Sequence, residues 1–126
     1  MVKITLYGDP RTKKNSQRIC VKGNGQRFVK PSAQYEQYER DCLKQLYGKA
    51  LHMTGPLNVC CVYYMGTRRK VDLCNLLEAT NDILVKAGVL EDDNSTVVAS
   101  HDGSRVLYDK ARPRVEIRIT EMEERT

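Results

Sequence analysis

The sequence predicts an α+β fold, in which a mixed β-sheet and two main helices form a single domain over residues 1–126. Two observations predict the sheet: apolar and polar residues alternate near both ends of the chain, and residues 57–65 are rich in β-forming side chains. A third predicts the helices, since apolar residues recur at helical spacing in residues 32–49 and 73–87. A chain of 126 residues has room for one compact domain.

The first elements are a strand and a β-hairpin. Val2, Ile4 and Leu6 alternate with polar residues, and this strand is expected to stop at Pro10, which has no backbone N–H to donate. A basic loop follows. Two short β-prone runs, 19–22 and 26–29, flank Gly23-Asn24-Gly25, which is a hairpin signal. The predicted hairpin is a small ribbon with a basic approach.

The first helix is predicted from Ser32 to Lys49. Its apolar positions repeat at helical spacing and include three tyrosines. Tyrosines in this pattern could stack on nucleic-acid bases, but a core stripe is the favoured interpretation. The stripe consists of Tyr35, Tyr38, Cys42, Leu43, Leu46 and Tyr47.

The second half of the chain begins with the predicted central strand, 57–65, which is apolar on both alternating faces and is expected to be covered on both. Asp72 stands at the N-cap position of the second helix, 73–87, and Gly88 at its C′ position. A strand is then expected over 96–100, followed by the hairpin-type dipeptide Asp102-Gly103. Residues 114–120 alternate as a last strand.

Positive charge is concentrated at the front of the chain. Residues 1–30 carry a net charge of +7, and residues 31–126 carry −2. Such a basic segment suits a polyanion, although a pI near 9.0 alone favours nucleic acid only modestly. Neither a membrane span nor a signal peptide is expected. The five cysteines lack a CxxC pair and are interpreted as reduced, buried thiols of an intracellular protein.

Carboxylates beside basic residues are the clearest chemical signal. The segment Arg68-Arg69-Lys70 leads into Asp72, and the acidic run Glu91-Asp92-Asp93 follows the second helix. Carboxylate oxygens are ligands suited to Mg²⁺, and the basic residues could hold a DNA backbone. The alternative is structural: Asp72 caps a helix, and Asp92 and Asp93 form a polar turn. Spacing alone leaves both interpretations open.

Other reaction chemistries find less support in the sequence. It contains no Gly-rich phosphate-binding loop, and Ser104 and Cys74 lack an activating partner. His52 is expected to be a solvated loop residue, whereas His101 could face a site.

At these acidic and basic residues the sequence resembles the RusA family of Holliday junction resolvases. The basic segment Gly8–Lys14 is similar to the family's Gly-x-Pro opening. Residues Arg68–Glu78 are similar to its Arg-Arg-x-x-Asp-Leu-Asp-Asn-Leu-x-Lys signature. Further along, Asn81–Leu84, Gly88 and Glu91–Ser95 follow its remaining pattern.

The resemblance implies a Mg²⁺-dependent endonuclease of phage or prophage type, which cuts four-way DNA junctions as a homodimer in the cytoplasm of a bacterial host. It assigns Asp72, Asp92 and Asp93 to the catalytic site, with Asp72 and Asp93 around one ion. Two positions depart from the pattern: Cys74 replaces the second catalytic aspartate, and Glu78 replaces a lysine. A thiol is a poor Mg²⁺ ligand, but Glu78 lies one helical turn further on and could return the missing carboxylate.

The predicted DNA-facing surface is the set of basic residues at the front of the chain and before the second helix: Lys13, Lys14, Arg18, Arg68, Arg69 and Lys70. Two alternatives to the nuclease remain open at this point. The first is a junction-binding protein with weakened or lost catalysis. The second is a nucleic-acid binder that uses the basic ribbon, with structural acidic residues. Asp82 and Lys86 are expected to form an exposed ion pair on the second helix.

Overall fold

A computed structural model describes residues 1–13 and 17–123. One long strand lies at the centre of its fold. The elements in chain order are β1 Val2–Tyr7, β2 Gln17–Val21, β3 Arg27–Pro31, α1 Ala33–Gln45, β4 Leu57–Met65, α2 Leu73–Lys86, β5 Val98–Ser100, β6 Arg105–Tyr108 and β7 Arg114–Glu121. The predicted α+β fold with a mixed sheet and two helices is confirmed.

The main sheet has the order β1-β7-β4, with β5 and β6 both paired to the far edge of β4. β7 is antiparallel to β1 and β4, whereas β5 and β6 are parallel to β4. Helix α2 is the crossover between β4 and β5, so it runs back from the C-terminal end of β4 toward the N-terminal end. β2 and β3 form a separate two-stranded ribbon.

The buried side chains form one cluster. Alternate residues of β4, from Leu57 to Met65, point into it, together with buried residues of β1, β7 and both helices. The intervening residues of β4 are only half-buried, so the expectation that both faces of this strand are covered is wrong. The physical reason is that the buried residues of α1 and α2 belong to this same cluster.

Both helices begin where the sequence predicts, with Ser32 and Asp72 as their N-caps. Ser32 Oγ accepts a hydrogen bond from the backbone N–H of Tyr35, which caps α1. Tyr35 and Tyr38 are buried, as the core interpretation requires, but Tyr47 is 91% exposed. Helix α1 ends at Gln45, four residues before the predicted end at Lys49, so Tyr47 lies beyond the helix.

The edge formed by β5 and β6 differs from the prediction. Leu57 of β4 pairs with Val98, and Val62 pairs with Arg105, so both short strands run in the same direction along β4. Asp102-Gly103 therefore joins two consecutive stretches of one edge and makes no hairpin between them. β6 itself was not predicted from the sequence.

The expectation that the cysteines are buried thiols holds for only two of the five. Cys42 and Cys61 are buried free thiols, but Cys20 and Cys60 are half-buried and Cys74 is exposed. Neither helix of the described chain has the length and apolar character needed to cross a membrane.

Candidate nuclease site

Asp72 lies between the basic segment and α2. Its Oδ1 accepts a hydrogen bond of 2.9 Å from the backbone N–H of Cys74, so the side chain caps the helix. The residue is exposed, and its second carboxylate oxygen has no hydrogen bond within the described part of the chain. Asp72 therefore has a structural role and can still offer an oxygen to a ligand.

Asp92 and Asp93 form an exposed turn before β5. Asp92 Oδ1 accepts a hydrogen bond of 2.7 Å from the backbone N–H of Asp93, and its Oδ2 accepts one of 3.0 Å from Asn94 Nδ2. Desolvation raises the pKa of Asp93, as do its hydrogen bond with Asp92 and the charges of Asp82 and Asp92. This turn is thus a place where negative charge accumulates.

Asp72 and the Asp92-Asp93 turn lie at opposite ends of the crossover. The fourteen residues of α2 span about 20 Å at the usual helical rise. Asp72 precedes the helix, beyond the last residue of β4, whereas the backbone N–H of Glu91 bonds to Met53, just before β4. The structure does not bring Asp72 and Asp93 together within one protomer.

The exposed flank of α2 carries more acidic residues. Glu78 and Cys74 are both exposed there, one helical turn apart. Asp82 follows one turn later and forms an ion pair with Lys13, whose Nζ also lies 5.9 Å from the centre of the Tyr35 ring. The expected Asp82–Lys86 pair is absent from the described contacts, because Lys86 binds Glu39 at 3.0 Å.

Arg69 holds two loops together. Its guanidinium donates to Asp9 Oδ2 at 2.7 Å, to Thr67 Oγ1 at 3.0 Å and to the carbonyl oxygen of Pro10. The other oxygen of Asp9 accepts a hydrogen bond from the backbone N–H of Gly66. Arg69 therefore connects the loop after β1 to the segment before α2.

The other predicted DNA-facing residues are less constrained by contacts. Arg68 stacks over the Tyr108 ring at 4.2 Å, and Lys70 is exposed. Lys14 lies outside the described residues, as does the side chain of Arg18. Arg68 and Lys70 are the members of this set that present cationic groups at the start of α2.

A family model described as Endodeoxyribonuclease RusA matches residues 8–120. The chain belongs to the RusA endodeoxyribonuclease family. No curated protein matches the sequence. RusA membership implies a Holliday junction resolvase nuclease that binds branched DNA, and RusA-type resolvases generally depend on a divalent metal.

The RusA match includes structural residues that the sequence did not identify. Asp9 anchors both Arg69 and Gly66, so the Gly8-Asp9-Pro10 opening positions the loop before α2. The signal was present in the sequence as an acidic residue inside an otherwise basic opening. Its partner could not be inferred because Arg69 lies sixty residues away along the chain.

His101 also has a structural role in this RusA chain. Its Nδ1 lies 2.7 Å from the carbonyl oxygen of Val59, so Nδ1 carries the proton and donates it. Nε2 is then free to accept a hydrogen bond from Asn81 Nδ2 at 3.1 Å. The ring links β4 to α2, and both nitrogens are already engaged.

Proposed function

We propose that this protein is a Mg²⁺-dependent, structure-specific endonuclease of phage or prophage origin that cuts four-way DNA junctions. The observation that carries the proposal is the basic Arg68–Lys70 segment leading into the exposed, helix-capping Asp72 within the RusA match. Junctions would be recognised by their shape and their phosphates, since Lys and Arg contacts with phosphate are independent of sequence.

The acidic residues have the ligand chemistry of a divalent-ion site. Carboxylates are suitable ligands for Mg²⁺, which favours Asp72, Asp92, Asp93 and Glu78. However, the described residues of one protomer contain no group of three His, Cys, Asp or Glu side chains that could hold a metal. Within the described part of one protomer, these carboxylates therefore do not form a complete site for the ion by themselves.

We propose that a homodimer resolves this mismatch by combining the acidic groups of two protomers. β6 pairs with β4 alone in the described sheet, and Val106, Leu107 and Tyr108 are 37–43% exposed along it. An unpaired apolar edge of this kind is suited to antiparallel pairing with a second copy. In that arrangement the start of α2 would approach the segment before β5 of the partner subunit.

The proposed roles follow from these positions. Asp72 of one protomer and Asp93 of the partner subunit supply acidic groups, and Asp92 orients the turn that contains Asp93. Glu78, one turn from Cys74, supplies the carboxylate that a thiol cannot. Direct contacts with phosphates are proposed for four basic residues: Lys14, Arg18, Arg68 and Lys70. Lys13 and Arg69 are also proposed to contact phosphates while they keep their ion pairs with Asp82 and Asp9.

A binding protein without nuclease activity is the second candidate. Cys74 and Glu78 favour it, because both stand at positions that differ from the RusA signature. The decisive test is incubation of a synthetic four-way junction with the protein in Mg²⁺, in Ca²⁺ and in EDTA.

The nuclease proposal predicts symmetrical cuts in Mg²⁺ and intact DNA in EDTA. Binding to the same junction and to its linear arms is measured in parallel. Junction-selective binding without cuts in any metal would establish the second candidate. Equal binding to junction and arms would leave only a general nucleic-acid binder.

A further inference from the structure

The β2–β3 ribbon presents an apolar face to solvent. Ile19 pairs with Val29 and Val21 with Arg27 across the ribbon, so Ile19, Val21 and Val29 lie on one face. These three side chains are 71%, 65% and 62% exposed. Burial of exposed apolar side chains is favourable, so a partner that covers this face would be stabilised by it. A contiguous exposed apolar surface of this kind indicates a binding partner.

The charge around this face identifies the class of partner. Residues 10–35 contain no Asp or Glu, and they contain seven Lys or Arg. Lys22 lies 5.8 Å from the centre of the Phe28 ring on the opposite ribbon face, so cationic groups flank the ribbon on more than one side. Two such ribbons would repel each other, which disfavours a second copy as the partner. A polyanion is favoured instead.

Nucleic acid offers both phosphates and base faces, but a linear duplex keeps its base faces stacked. Where a protein opens a junction at its branch point, the end of a base-pair stack becomes accessible, and apolar side chains of DNA-binding proteins insert at opened base steps. An apolar face between basic residues therefore suits branched DNA better than an uninterrupted duplex.

We propose that the Ile19–Val21–Val29 face of the ribbon packs against the exposed base pairs at the branch point of the junction, while the neighbouring basic residues hold the arms. This inference rests on the proposed junction-directed function and adds the element that distinguishes a junction from its arms. The loop Arg11–Lys13, which precedes the ribbon in the chain, is held to Asp82 of α2 by the Lys13 ion pair.

The test replaces the three apolar residues by threonine, in Ile19→Thr/Val21→Thr/Val29→Thr. Threonine keeps the β-branched shape and adds no charge, so the hairpin and its electrostatics are retained. The matched control is Tyr47→Thr/Leu51→Thr, which removes apolar side chains exposed at 91% and 51% elsewhere. Circular dichroism and thermal melting compare the folding of each variant with that of the natural protein.

Fluorescence anisotropy measures affinity for a synthetic four-way junction and for a linear duplex made from one arm. The triple variant is expected to lose about tenfold or more in junction affinity, because it replaces the apolar groups that would pack against the base pairs by hydroxyl groups. Its affinity for the duplex should change by less than about twofold, because phosphate contacts dominate there. A 2-aminopurine base at the branch point should report a fluorescence change with the natural protein and a smaller one with the variant.

Each other outcome has a distinct meaning. If the natural protein fails to prefer the junction, the proposed function is wrong. If it prefers the junction and the triple variant keeps that preference, only the role of the ribbon is overturned. Equal losses of affinity for the junction and the duplex would also overturn that role.

Sedimentation tests a second copy as the partner. If the triple variant converts a dimer to a monomer, the apolar face belongs to an interface with a second copy instead. The single variant Ile19→Thr, which changes one of the three side chains, should show a smaller loss in the same direction.

Discussion

The proposed catalytic role of Asp72 can be separated from its helix-capping role by the choice of substitution. Asn caps a helix as well as Asp does, whereas Ala loses the cap at a cost of about 1 kcal/mol. We expect Asp72→Asn to abolish junction cleavage while stability stays within about 0.5 kcal/mol of the natural protein. Asp72→Ala should lose both. Denaturant unfolding and a cleavage assay measure the two effects.

The control for this prediction is the cap of the other helix. Ser32→Ala removes the hydrogen bond to Tyr35 and should destabilise the protein by about 1 kcal/mol without abolishing cleavage. Full cleavage by Asp72→Asn would show that the carboxylate is only a cap.

Glu78 and Cys74 decide whether the acidic site is rearranged or lost. If Glu78 supplies the missing carboxylate, Glu78→Gln should reduce cleavage as much as Asp72→Asn does, because both changes remove a negative oxygen ligand. Junction binding should be retained. If Glu78→Gln cleaves junctions at the natural rate, Glu78 is a surface residue without a role in cleavage.

The same two positions allow a restoration experiment. Cys74→Asp with Glu78→Lys recreates the RusA signature on the exposed flank of α2, where neither change disturbs the core. We expect the double variant to keep or raise cleavage. In a protein that only binds DNA, neither change would affect cleavage, which would be absent throughout.

At the scale of elements, Arg69 holds the loop after β1 against the segment before α2. Its fork of N–H donors cannot be reproduced by the single ammonium of Lys. We expect Arg69→Lys to lower stability by about 1–2 kcal/mol, because the Asp9 carboxylate and the Pro10 carbonyl lose their shared donor. Thermal and denaturant unfolding measure this loss.

The exposed neighbours of Arg69 serve as controls for DNA binding. Arg68→Gln/Lys70→Gln should leave stability nearly unchanged and should flatten the salt dependence of junction binding by about one unit per lost phosphate contact. An unchanged salt slope would exclude these residues from the DNA surface. A stability loss equal to that of Arg69→Lys would mean that they are structural too.

The separation of Asp72 from Asp93 within one protomer makes the proposed dimer testable by complementation. Asp72→Asn and Asp93→Asn are each expected to abolish cleavage as homodimers. A mixed dimer should regain one intact site, formed by Asp72 of one protomer and Asp93 of the partner subunit. It should therefore nick junctions, because the second site carries both substitutions.

Differently tagged chains, co-expressed and purified through both tags, supply the mixed dimer. Sites confined to one protomer would leave the mixed dimer inactive, since each site would carry one substitution. Light scattering gives the oligomeric state, and a species of 14.4 kDa alone, with and without junction DNA, would exclude the dimer.

Most of the local structure could be predicted from the amino-acid sequence. Alternation predicted β1 and β7, and Gly23-Asn24-Gly25 predicted the ribbon. The Asp72 cap and Gly88, with its φ of 77°, bracket α2. These features depend on residues that are close together in the chain, so they can be predicted from a short stretch of sequence. The types of site residue, basic and acidic around Asp72, could be predicted for the same reason.

Which of these residues meet depends on how the strands and helices pack together. The direction of α2 relative to β4 separates Asp72 from Asp93, and it follows from the parallel pairing of β5 with β4. The contact of Arg69 with Asp9 likewise depends on where β1 ends in the sheet. Such contacts join residues far apart in the chain, and their geometry is set by the packing of whole elements. A pattern of neighbouring residues does not contain that information.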